Sequence, residues 1–137
     1  MSAILHHIKS LEDYAERHGA RLVRDVLPEP LHARLLSDRI TVRPDLSPEQ
    51  HLMALVHELA HWLAHAESPP PSLSRCTIYE YEAEAVEALI MARLGLEPPQ
   101  RGPASVGQDA PTDGLLSSSL DRVRSTTQRL CQALGLD

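Results

Sequence analysis

Residues 48 to about 67, PEQHLMALVHELAHWLAHAE, read as one helix with two demanding faces, and no other pattern constrains the fold as much. At about 100° per residue, Leu52, Val56, Leu59 and Leu63 fall in one stripe, the seam expected to face a core. His57 and His61 lie on nearly the opposite side, where plain solvent gives no reason for paired imidazoles. A second element must cover the histidine face, which makes this helix central. Its start is marked by Ser47 at the N-cap, Pro48 in the first helical position and Gln50 completing a capping box.

The remaining chain supplies elements to pack around it. Residues 2–18 read as a helix stopped by Gly19, and 20–27 and 33–43 are the β-like stretches, the second holding a short hairpin at SDRITV. A second helix covers roughly 75–94 and ends at Gly95, residues 97–114 form a long Pro- and Gly-rich loop, and a last helix spans about 116–134. On that helix Leu120, Val123, Leu130 and Leu134 make a stripe expected to pack on the core. The fold class expected is therefore α+β and mostly helical: a small hairpin or short sheet, the central helix, a glutamate-bearing helix and a C-terminal helix. The 137 residues suit a single domain, and with no Phe and one Trp its core must be built from Leu, Val, Ile, Ala and Met.

A net charge of −6 without a basic stripe argues against direct nucleic-acid binding. No stretch approaches the ~18 consecutive apolar residues of a membrane span, and the opening MSAILHHIKSLEDY lacks the marks of a signal peptide. Two cysteines, Cys76 and Cys131, are too few for a disulfide framework and fit reduced thiols in the cytoplasm.

The chemistry concentrates in His57-Glu58-Leu59-Ala60-His61. Histidines at i and i+4 project together from one face, which suits tetrahedral zinc, while the glutamate between them reaches a metal-bound water rather than the metal. The covering element is the helix containing YEYEAEAVEAL, on which Glu80, Glu84 and Glu87 share a side. Like charges at i and i+4 destabilise a helix by a few tenths of a kcal/mol, so this stripe needs cationic company. Zinc requires a third protein ligand. Glu80 is preferred, with Glu84 accepting a hydrogen bond from the non-ligating nitrogen of a metal histidine; the reverse assignment stays open. Glu82 points elsewhere and reads as a surface residue, whereas His65 continues the four-residue spacing as a candidate for the substrate site.

H-E-x-x-H followed by Glu80-x-x-x-Glu84 resembles the gluzincin pattern. More narrowly, LVHELAHWLAH and EYEAEAVEALIMARLGL resemble the ImmA/IrrE bacterial metallopeptidases and the related zinc domain of ArdC-type antirestriction proteins, over about residues 20–96. The pair Val86-Glu87 and the ending Leu94-Gly95-Leu96 depart from the ImmA/IrrE consensus, the latter toward the ArdC-like branch. The resemblance implies a Zn2+ metalloendopeptidase whose catalytic residue is Glu58 and whose substrate is a peptide or protein such as a transcriptional repressor. Its alternative is a non-catalytic, zinc-stabilised module that engages a transcriptional regulator or restriction-modification factor.

Overall fold

Gly19, at φ 102°, ends the first helix and turns the chain into the sheet. The computed structural model describes residues 3–29, 31–65, 73–97 and 113–136, with the side chains of residues 65, 73–77 and 113–118 outside the description. The order is α1 (Ala3–Arg17), β1 (Arg21–Arg24), β2 (Ala33–Leu36), β3 (Arg39–Val42), α2 (Pro48–His65), α3 (Leu73–Arg93) and α4 (Asp113–Ala133). This is the α+β layout expected from the sequence, with the last helix starting three residues earlier. The greater part of the 97–114 loop lies outside the described residues.

The expected hairpin is β2–β3, closed over Ser37 and Asp38, with Ser37 at the positive φ of 56° that a two-residue turn demands of its first central residue. Alternation alone did not reveal that β1 joins this hairpin in parallel beside β3, giving the order β1-β3-β2. Among the described residues β2 has no strand on its outer edge. Trp62 Nε1 donates to Asp38 Oδ1 at 3.3 Å and ties the hairpin turn to α2.

The capping box at the start of α2 is formed in both directions: Gln50 N–H donates to Ser47 Oγ and Ser47 N–H to Gln50 Oε1, each at 3.1 Å. Beyond it Leu52, Leu55, Val56 and Leu59 are fully buried, each contributing about 1.5–3 kcal/mol. They meet Ile8, Leu11 and Ala15 of α1, Ile40 and Val42 of β3, Ala83, Val86 and Ile90 of α3, and Val123 and Leu130 of α4. As the composition demanded, the buried core is aliphatic.

One expected core leucine is exposed: Leu120 is 51% accessible. On α4 the contact positions are Ser119, Val123, Thr126 and Leu130, all buried; this i, i+4, i+7, i+11 stripe excludes Leu120, and its small hydroxyl residues hid it from a search for apolar periodicity. Glu82 is corrected the other way. It is 1% accessible, not a surface residue, because Arg122 of α4 neutralises it through two hydrogen bonds, Nε to Oε1 at 2.9 Å and Nη2 to Oε2 at 2.7 Å.

Candidate metal centre

The histidine face of α2 is covered by α3, as its two-sided pattern required. His57 and His61 stack edge to face with ring centroids 5.0 Å apart. Between them Glu80 of α3 divides its carboxylate: Oε1 lies 2.7 Å from His57 Nε2, and Oε2 lies 3.2 Å from His61 Nε2. One ligand atom from each of the three residues falls within 4.8 Å of the others. Two imidazole nitrogens and a carboxylate oxygen at this spacing can hold a metal ion.

The opposite side of the His57 ring fixes how it would ligate. Nδ1 donates to Glu87 Oε1 at 3.0 Å, which places the ring proton on Nδ1 and leaves Nε2 directed at the cluster. Glu87 is 1% accessible. The sequence put it on the acidic stripe but assigned the supporting role to Glu84; at His57 that role belongs to Glu87, two helical turns beyond Glu80. The i+7 spacing from Glu80 was the available clue. Glu84 is half-buried on the same helix, and the side chains of His65 and Cys76 lie outside the described residues.

Burial opposes charge on His57, yet hydrogen bonds to Glu80 and Glu87 outweigh it and push its pKa up to about 10. The same two histidines hold the Glu80 carboxyl far below the ordinary carboxylate range. Glu58 behaves differently, because burial raises its pKa ahead of every charge nearby. A carboxyl tuned upward beside the candidate metal cluster holds a proton more readily than an ordinary glutamate, which suits it to proton transfer.

All four residues, with Glu87, line a cleft of about 650 Å³ whose other walls include Leu31–Leu35, Gln50, Met53 and Ala54. That wall contains β2, and the pairing register shows what its edge offers. Arg43 N–H donates to His32 O at 2.9 Å, one step before the Ala33–Val42 pair. Hydrogen-bonded and non-bonded pairs alternate in an antiparallel ladder, so Arg34 and Leu36 spend their backbone groups on β3. Ala33 and Leu35 direct theirs to the outer edge.

A family model described as the IrrE N-terminal-like domain, of peptidase family M78, matches residues 15–94 of the 137. The chain belongs to the IrrE N-terminal-like family. Neither the curated proteins nor the solved structures contain a significant match. Membership makes this a metallopeptidase-type domain, and peptidases of the family are metal-dependent, in keeping with the donor set above. In this IrrE N-terminal-like domain the match runs from the end of α1 to the end of α3, and α4 lies wholly beyond it. No helix among the described residues is long and apolar enough to cross a membrane.

Proposed function

We propose that this chain is a zinc-dependent metallopeptidase that hydrolyses a peptide bond in a protein partner. The observation that carries the reading is the convergence of His57, His61 and Glu80 in a cleft that also holds Glu58 and the open edge of β2. His57, His61 and Glu80 match the two-nitrogen, one-carboxylate ligand sets of catalytic zinc sites. Zinc held there would supply Lewis acidity, acidifying water and polarising the scissile carbonyl.

Every other part of the reaction is assigned to the chain. The outward N–H and C=O groups of Ala33 and Leu35 pair with an extended substrate segment laid along β2. Glu58 accepts a proton from the attacking water as its oxygen bonds to the carbonyl carbon. The same carboxyl then delivers that proton to the amine as the C–N bond breaks. Glu87, through His57 Nδ1, keeps the ring aimed while this occurs. The substrate is a folded or partly extended protein, with a transcriptional repressor as the first class to test.

The experiment is Glu58→Gln in the zinc-loaded chain. Hydrolysis of a cleavable peptide should fall by roughly 10²–10⁴-fold with zinc content unchanged. Wild-type rates in that variant would rule out the assigned role of Glu58.

A further inference from the structure

Helix α4 lies outside the family match, yet it grips the turn of α3 that presents Glu80. Arg122 holds the Glu82 carboxylate through both of its oxygens, at 2.9 and 2.7 Å. Its guanidinium also sits 5.9 Å from the centroid of the Tyr79 ring. Tyr79 and Glu82 are i, i+3 neighbours and share a helix face, and Glu80 falls between them in sequence on the side turned to the histidines. One side chain from α4 therefore clasps the back of the turn whose front carries the third ligand.

The contiguous apolar core takes no described α3 side chain earlier than Ala83. Ile78 is buried one turn before Glu82, and beside that apolar anchor the Arg122 fork is nearly fully desolvated on the carboxylate side, the Glu82 side chain being 2% accessible. Rotation of α3 matters at this end. With side chains about 5–6 Å from the helix axis, a turn of about 20° moves a carboxylate by roughly 2 Å, against a tolerance near ±0.2 Å for metal–ligand distances.

We propose that Arg122 is a positioning residue for the metal centre: by holding Glu82 and the Tyr79 ring together it fixes the rotation of α3 that aims Glu80 at His57 and His61. The inference rests on the zinc reading of those three residues. It makes α4, which the family match does not reach, an integral part of the site. A forked, bidentate contact is directional in a way that an apolar contact of equal volume is not.

The test uses the full chain and separates aim from stability. In Glu82→Leu/Arg122→Met both charges are removed together, an exchange that is often neutral or stabilising for a buried pair; Arg122→Lys keeps the charge but loses the fork. Zn2+ affinity is measured by chelator competition, the melting temperature of the metal-free proteins by calorimetry, and ligand geometry by the visible absorption of the Co2+-loaded forms. The double variant should melt within a few degrees of the unaltered chain, bind Zn2+ about tenfold more weakly and show a changed Co2+ spectrum, with the Lys variant between. Undiminished affinity and an unchanged spectrum in both variants overturn the inference alone. Failure of the unaltered chain to bind Zn2+ overturns the zinc reading and the inference with it.

Discussion

Glu87 shows what local spacing conveys and where it stops. His57 and His61 are legible because i and i+4 on a helix share a face, with Glu58 set beside them by the i+1 position, whatever the helix packs against. Choosing which glutamate of α3 supports His57 depends instead on how α3 crosses α2, and no local pattern encodes that angle. The structure places Glu87 Oε1 3.0 Å from His57 Nδ1, both groups being buried. Glu87→Ala should therefore weaken metal affinity by about 10–100-fold, the range for residues that orient a metal histidine, and Glu80→Ala, which removes the proposed third ligand, should weaken it further. Chelator-competition titrations check the order, and equal affinity in Glu87→Ala and the unaltered chain would refute it. Glu82 was misread for a similar reason: the arginine that permits its burial stands 40 positions away in α4.

The elements around α2 were legible wherever one of them carried its own start and stop. The Ser47–Gln50 capping box, Gly19 and Gly95 mark helix ends by chemistry confined to a few residues. The parallel pairing of β1 with β3 was not legible, since it joins segments separated by the whole of β2. That pairing makes β2 the open edge beside the metal cluster, which yields a prediction. Leu35→Pro deletes an outward N–H that β3 does not use, and proline is tolerated on edge strands. It should lower kcat/KM for a peptide at least tenfold with metal affinity intact; unchanged kcat/KM would show that substrate does not pair with this edge. A second prediction concerns Glu12 of α1, whose Oε2 lies 3.7 Å from buried His51 Nε2 of α2 and 3.5 Å from Arg24 of β1. His51 foremost, then Arg24, hold this carboxyl below its ordinary value of 4.5 against the cost of burial. A carboxyl with a depressed folded-state pKa stabilises the fold above its unfolded value and loses that contribution as pH falls through the folded one. Thermal melts should therefore show an acid-side loss beginning below about pH 4.5 that is smaller in Glu12→Gln. Superimposable pH profiles would mean the carboxylate does not link the three elements.

For the molecule as a whole, the central question is whether the metal builds the fold or settles into a fold already made. Small zinc domains often unfold without their metal because nothing else holds the ligands together. Here α1, the sheet, α2, α3 and α4 all contribute to one aliphatic core, which does not depend on the contacts of Glu80 with His57 and His61. The metal-free chain is therefore expected to melt cooperatively rather than start unfolded. On the proposed reading zinc would join α2 to α3 and bind only the folded arrangement, so mass action would add stability to that baseline. Free metal at a thousandfold above Kd contributes about 4 kcal/mol, and at roughly 3–4 °C per kcal/mol for a domain of this size the midpoint should rise by about 12–16 °C. The gain should reverse on chelation and shrink in Glu80→Gln, which keeps the side-chain volume while removing the anionic ligand. Calorimetry with and without chelator decides it. A metal-free chain with no cooperative transition would mean that the ion, not the aliphatic core around α2, holds the helices in place.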